Sequence, residues 1–178
     1  MTKSKSQRAL ILFMVISIPF VLWQALDWTP PPYFLVTEGS NGTATLQRDM
    51  PLHAGLRIPE RGTVQTQFAP AVLELGHMRI EMDERTILEI KDIEDDALSL
   101  FSSRGHWTVY PDRPTQACTR AVCVETEGRL ELFYYTPGEV VEVRPYAPVV
   151  VAFGEETFEL VAGDRMVIDE LTGEILRN

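Results

Sequence analysis

An uncharged apolar segment near the N-terminus most constrains what this chain can form. Residues 9–26 carry no charged side chain, and 11 of these 18 residues are Leu, Ile, Phe or Val. As a helix, 18 residues rise about 27 Å, which is enough to cross a thin hydrocarbon core. Trp23 and Trp28 stand at its far end, where indole rings favour the membrane interface. The sequence therefore predicts one transmembrane helix over residues 9–28.

Basic residues set the expected orientation of this helix. Lys3, Lys5 and Arg8 precede it, whereas the first acidic residue is Asp27. By the positive-inside rule, residues 1–8 form a cytoplasmic tail and residues 27–178 are exported. We therefore expect a single-pass protein of the plasma membrane with a periplasmic or extracellular domain.

A cleaved signal peptide is the alternative to this anchor, because it has a similar basic start and apolar run. The best small residue for cleavage is Ala25, but the residue two before it is the bulky Trp23. We favour the anchor for that reason. The Thr-Pro-Pro-Pro segment at residues 29–32 then predicts a stiff polyproline II spacer, or alternatively the first turn of the exported domain.

Residues 33–178 have the pattern of an all-β domain. All 11 glycines and 11 of the 12 prolines follow Leu26, and they separate short runs in which apolar and polar residues alternate. Met78–Met82 and Leu130–Leu132 are examples of this period of two, which is typical of strands. We predict an all-β fold, either a sandwich or a short β-solenoid.

Asn41-Gly42 predicts a type I′ hairpin between residues 35–37 and residues 43–46.

Residues 77–104 contain neither Gly nor Pro, and some of their apolar residues also fit a helical face. We prefer strands there, because Met78–Met82 alternates and Asp92–Asp96 has the composition of a solvated turn.

The charge of the exported part excludes one class of partner. All 26 acidic residues but only 13 of the 16 basic residues lie after Leu26, which gives this part a formal charge of −13. Nucleic-acid binding depends on a basic face that neutralises phosphates. We therefore expect no nucleic-acid partner.

The two cysteines, Cys118 and Cys123, are expected to form a disulfide, because exported cysteines meet an oxidising medium. A loop this short stabilises by only about 2 kcal/mol in the chain-entropy model. Two buried thiols in a single strand are the alternative.

Motifs that carry catalysis or bind cofactors were not found in the sequence. His53, His77 and His106 lack the spacing of metal ligands, and the acidic residues 92–96 lack the spacing of a calcium loop. Neither a G-x-S-x-G nucleophile motif nor a phosphate-binding glycine loop occurs. The sequence predicts no catalytic residues, no metal and no cofactor.

The aromatic run at residues 133–135 suggests a binding surface. Alternation places Tyr134 on the face opposite Phe133 and Tyr135. Core packing is the default for such residues, but one of the two faces is expected to be exposed. Tyr134, with Arg129 beside the same strand, is our candidate for contact with an envelope protein or a glycan.

The region from residue 36 to residue 90 resembles the FecR-type domain, an exported all-β module of bacterial envelopes. The resemblance rests on the strand and glycine patterns of residues 52–58, 62–66, 71–80 and 86–90, and on Leu160-Val161-Ala162-Gly163-Asp164 as a closing step. The family's usual Asp-Gly-Ser turn is Leu75-Gly76-His77 here. Regulators of this family also carry a cytoplasmic domain that handles a sigma factor, whereas only residues 1–8 are expected inside.

Three functions therefore remain open from the sequence. The first is a non-catalytic binding or scaffold domain of the cell envelope, held to the membrane by its helix. The second, implied by the resemblance, is a component of cell-surface signalling whose output domain lies on another chain. The third is an envelope hydrolase, for which the sequence offers no catalytic motif.

Overall fold

The computed structural model describes residues 31–46, 49–136 and 139–177. The expected membrane helix at residues 9–28 lies outside these ranges, as do the first two residues of the proline spacer. Among the described residues, no helix has the length and apolar character needed to cross a membrane.

Strands form wherever apolar and polar residues alternate. The described residues contain 17 strands and no helix, which confirms the all-β prediction. Residues 77–104 are strands joined by tight turns, so the helical alternative for this segment is wrong. Of the turn expected at residues 92–96, Glu94, Asp95 and Asp96 are exposed between strands, whereas Asp92 and the buried Ile93 belong to the preceding strand.

Strand pairing arranges the domain as two nine-stranded sheets. Sheet A runs in the order β4 (Arg57–Pro59), β1 (Tyr33–Glu38), β6 (Ala71–Leu75), β7 (Met78–Met82), β9 (Leu98–Tyr110), β12 (Leu130–Tyr135), β13 (Val140–Pro145), β16 (Met166–Asp169) and β17 (Ile175–Arg177). Sheet B runs in the order β3 (Asp49–Pro51), β2 (Gly42–Thr45), β5 (Thr63–Thr66), β8 (Ile87–Ile93), β9, β10 (Thr115–Cys118), β11 (Val122–Thr126), β14 (Val149–Phe153) and β15 (Glu156–Leu160). All pairs are antiparallel except β9 with β10.

The two sheets pack face to face. Phe34 and Trp107 of sheet A and Leu88 and Leu100 of sheet B are fully buried in one continuous apolar core. Alternation explains this arrangement in most strands, because every second side chain points inward, as in β7 and β12. Of the two architectures predicted, the pairing is that of a sandwich.

Strand β9 belongs to both sheets. Its first half, from Leu98 to Arg104, pairs in sheet B, and its second half, from Gly105 to Tyr110, pairs in sheet A. Gly105 has a φ of +100°, and a Cβ there would collide with Thr86. Glycine therefore permits both the positive φ and the close approach to Thr86 at the position where β9 passes from sheet B to sheet A.

The prediction of a hairpin at Asn41-Gly42 is wrong, because β1 and β2 do not pair with each other. Strand β1 pairs with β4 and β6 in sheet A, whereas β2 pairs with β3 and β5 in sheet B, so this segment crosses between the sheets. A Cβ at Gly42 would clash with the backbone carbonyl of Gln65. The glycine is needed for close strand packing rather than for a two-residue turn.

Candidate functional site

Tyr134, proposed from the sequence as an exposed contact residue, is part of the core. Its side chain is 6% exposed, and burial together with a hydrogen bond to Glu170 raises its pKa to about 12. The alternation along β12 was predicted correctly, but the outward face was assigned to the wrong residues. Phe133 and Tyr135 point outward instead, and Tyr135 is 49% exposed.

The outward side chains of β9, β12 and β13 form a continuous patch on sheet A with residues that flank the ends of β12, β13 and β16, and we call this patch the arginine–aromatic surface. It comprises His106, Tyr110, Arg129, Glu131, Phe133, Tyr135, Glu142, Arg144, Tyr146 and Arg165. The pairing of β9, β12 and β13, and of β13 with β16, brings together positions as far apart in the sequence as His106 and Arg165. Arg129, the other sequence candidate, lies within the surface.

Phe133 lies at the centre of this surface. The ring of His106 stacks on it at 3.8 Å between centroids, and the guanidinium of Arg144 lies 4.5 Å from its centroid. Tyr135 follows at 6.0 Å, nearly parallel. The Nδ1 atom of His106 also lies 2.6 Å from a carboxylate oxygen of Asp83. These contacts hold the central ring in one orientation.

Arg129 is held between two tyrosine rings. Its guanidinium lies 4.0 Å from the ring centroid of Tyr146 and 5.2 Å from that of Tyr110. Its Nη2 atom and the hydroxyl of Tyr146 both donate to Oε1 of Glu131, at 3.0 Å each. That carboxylate raises the pKa of the Tyr146 hydroxyl. Cation–π contacts of this kind stabilise by about 0.5–1 kcal/mol at exposed sites.

Glu142 is a buried carboxylate beneath two arginines. It is only 3% exposed although it is on the outer face, because Arg144 and Arg165 cover it. The Nε atoms of these residues donate to Oε1 at 2.5 Å and 2.6 Å. The hydrogen bond from Arg165, followed by that from Arg144, holds the pKa of Glu142 below its usual range. The carboxylate therefore stays charged and fixes both arginines.

The groups on this surface are suited to recognition. It offers flat aromatic faces, guanidinium groups and fixed hydrogen-bond acceptors, the residue types that are enriched at the centres of protein interfaces. The same aromatic faces could stack on sugar rings. The surface contains neither a serine nor a cysteine nucleophile.

The two cysteines lie on the other sheet. Cys118 of β10 and Cys123 of β11 are directly opposite each other in the hairpin and are joined by a disulfide, as the sequence predicted. The pairing of two strands explains why residues five apart share a face. The alternative of two thiols in one strand is wrong.

Sequence reasoning found Arg129 but missed most of the surface. Glu142 and Arg144 alternate with the inward Val141 and Val143, so an outward polar row on β13 was visible in the pattern. Its partner Arg165 is 23 residues away from Glu142. Only the pairing of β13 with β16 brings them together.

Comparison with known proteins gave a likeness in fold. No family model matches the chain, and no curated protein matches it significantly. Two crystal structures of a "putative anti-sigma factor" from Parabacteroides distasonis ATCC 8503, at 2.50 Å and 1.65 Å resolution, resemble it with a TM-score of 0.58. In each case the sequence identity is 16%, over 65% of this chain.

This likeness extends over part of both proteins. The matched region covers 58% of the Parabacteroides chain, so just over half of that protein has a counterpart here. At this identity the likeness concerns the fold and not the partners. The chain shares its all-β architecture with proteins described as anti-sigma factors.

Proposed function

We propose that this chain is a non-catalytic, envelope-exposed component of cell-surface signalling, and that it acts by binding a partner protein. The observation that carries the proposal is the fold shared with a protein described as an anti-sigma factor. The FecR-type pattern of residues 36–90 supports the same assignment from the sequence. In this proposal, the cytoplasmic domain that passes the signal on belongs to another chain.

The arginine–aromatic surface is the proposed contact site. Its arginines are held by Glu131 and Glu142, so little side-chain entropy is lost when a partner binds. Arginine and tyrosine are also the residues that most often dominate binding energy at interfaces. A partner protein is therefore favoured over a small substrate at this surface.

The signalling role can be tested by transcript measurement in the host bacterium. Deletion of the gene should change the abundance of a small group of transcripts, and the full-length wild-type chain should restore them. The double variant Arg129→Ala/Tyr135→Ala should fail to restore them, whereas Phe68→Ala, which removes an exposed ring outside the surface, should succeed. A deletion without any transcript change would contradict signalling.

The proposed location can be tested separately. The basic residues before the apolar segment support an anchor with an exported domain. Protease added to intact spheroplasts should digest the domain while the cytoplasmic marker stays intact. Full protection of the domain, or release of a soluble form that begins near Leu26, would contradict the anchored topology.

The absence of catalysis is also part of the proposal. The purified chain should leave a panel of glycan and ester substrates unchanged. Turnover that disappears on substitution of a described residue would show that the protein is an enzyme.

A further inference from the structure

A groove of 790 Å³ opens on sheet B, away from the arginine–aromatic surface of sheet A. Its floor includes one outward residue from each of four neighbouring strands. Gln116 of β10 is opposite Glu125 of β11, Glu125 is opposite Val150 of β14, and Val150 is opposite Glu159 of β15. The strand register therefore places the exposed Val150 between two carboxylates, with Glu125 on one side and Glu159 on the other.

The charge of this groove has one sign. Glu125, Glu127 and Glu159 line it, and none of its lining residues is Lys, Arg or His. Within the described ranges, none of the three carboxylates has a cationic side chain within 4.0 Å. Arg177 approaches the backbone oxygen of Glu159, but the carboxylate of Asp164 binds the same guanidinium. These charges favour a cationic ligand.

Apolar side chains complete the lining. Val150 is 38% exposed and Val161 is 59% exposed, and Pro148 adds a further apolar wall. A free metal ion or a simple polyamine would leave these groups uncovered. A ligand that carries basic and apolar groups on one face would pair the carboxylates and cover the valines together.

The spacing suits a short extended peptide. Adjacent strands lie about 4.8 Å apart, so the backbones of Glu125 and Glu159, two strands apart, are separated by about 10 Å. An extended chain rises about 3.3 Å per residue, and lysine side chains are long and flexible. Alternate side chains of an extended chain share a face, so two lysines four residues apart, with an apolar residue midway between them, can reach both carboxylates while the apolar side chain contacts Val150.

We propose that this groove binds a basic, extended segment of a partner protein, with lysine or arginine on Glu125 and Glu159 and an apolar side chain on Val150. The site is separate from the arginine–aromatic surface and carries the opposite charge. The strong negative charge of the domain makes a second copy of this chain an unfavourable occupant.

The test uses the full chain in non-ionic detergent and labelled peptides, with binding followed by fluorescence anisotropy. The probe is Gly-Lys-Ser-Val-Ser-Lys-Gly, in which both lysines and the valine lie on one face of the extended chain. Two control peptides replace all lysines by glutamate or by serine. The basic peptide should bind, with an affinity that falls as salt rises, and the two controls should bind at least about tenfold more weakly.

Variants then locate the site. Glu125→Gln/Glu159→Gln should weaken binding by about tenfold, since two charge contacts are lost. Val150→Ser should weaken it as well. Glu84→Lys, in the exposed turn after β7, changes the net charge by the same two units as the double groove variant and should leave binding within about twofold. Circular dichroism and the thermal midpoint show that each variant is folded.

The alternatives give different results. Equal loss of affinity in the Glu84→Lys variant and in the groove variants would mean general charge attraction and would overturn the proposal. Tight binding of the serine peptide would mean an apolar rather than a basic ligand, and would overturn it too. So would failure of the basic peptide to bind at low salt.

Discussion

The hydroxyl of Tyr134 donates a hydrogen bond to Oε2 of Glu170 at 3.1 Å. The other oxygen of that carboxylate accepts hydrogen bonds from the hydroxyl of Thr119 and from the backbone N–H groups of Ala121 and Val122. Tyr134 is in sheet A, whereas these three residues are at the tip of the β10–β11 hairpin of sheet B. Glu170 therefore joins the two sheets at one end of the sandwich.

Removal of this hydroxyl should cost stability. Tyr134→Phe should lower the free energy of unfolding by about 1–2 kcal/mol, because the Glu170 carboxylate loses a partner. Tyr134→Ala should cost about 3–5 kcal/mol, because it also leaves a cavity. Urea denaturation measures both. Tyr135→Phe, on the exposed face, should change stability by less than about 0.5 kcal/mol, and an equal effect of the two Phe variants would contradict burial of Tyr134.

The same residue predicts an alkaline pH dependence. Its pKa in the folded chain is raised from 10.0 to about 12, so the unfolded chain releases this proton first. The resulting stability is fully present below pH 10 and is lost as the pH rises through 12. The wild-type chain should therefore lose more stability over this window than Tyr134→Phe. Urea unfolding at each pH gives the free energy of unfolding of both proteins. If the two values fell in parallel as the pH rises, the prediction would be wrong.

Glu142 predicts the opposite dependence in acid. Its folded pKa lies below the ordinary value of 4.5, so its contribution is present above that value and is lost as the pH falls through the folded pKa. Glu142→Gln should be destabilised by about 1–3 kcal/mol at neutral pH, because two covering arginines lose their charged partner. This difference from wild type should shrink below pH 4.5. The exposed Glu84→Gln should match wild type throughout, and a constant deficit for Glu142→Gln would argue against a charge effect.

The disulfide should make a modest contribution. Mass spectrometry of the non-reduced chain should find Cys118 and Cys123 linked within one peptide. The double variant Cys118→Ser/Cys123→Ser should lose about 2 kcal/mol by the chain-entropy model, since the closed loop is short. Reduced wild-type chain is the matched control and should show the same loss. Free thiols at Cys118 and Cys123 in protein isolated from the envelope would contradict this prediction.

Gly105 should tolerate substitution poorly. Gly105→Ala combines a φ of +100° with a collision against Thr86, and should cost about 2–5 kcal/mol. Gly154→Ala is the control, because Gly154 has a φ of +62° but open space around its Cα. It should cost only about 1 kcal/mol. Thermal unfolding compares the two, and similar midpoints would disprove the close packing at Gly105.

The sequence predicted local structure better than pairing. Alternation identified strands such as Met78–Met82 and separated Tyr134 from Phe133, but it could not say which face meets the core. That choice depends on the register of β12 against β9 and β13. In the same way, Asn41-Gly42 has the composition of a hairpin turn, yet it connects two sheets.

The candidate site was less predictable for the same reason. Arg129 could be proposed because it adjoins an aromatic strand. The contact of Arg165 with Glu142 joins strands that are separated in the chain by the β14–β15 hairpin of the other sheet. Neither periodicity nor composition contains that information.

Strand β9 has a consequence for how the chain can acquire its fold. It is the fifth of nine strands in each sheet, with β1–β8 on one side and β10–β17 on the other. All strand pairing between the N-terminal and C-terminal halves therefore passes through these 13 residues. Whichever half forms first leaves the free edge of β9 as a template for the other. The halves should therefore complement each other as separate fragments only when one of them retains β9 intact.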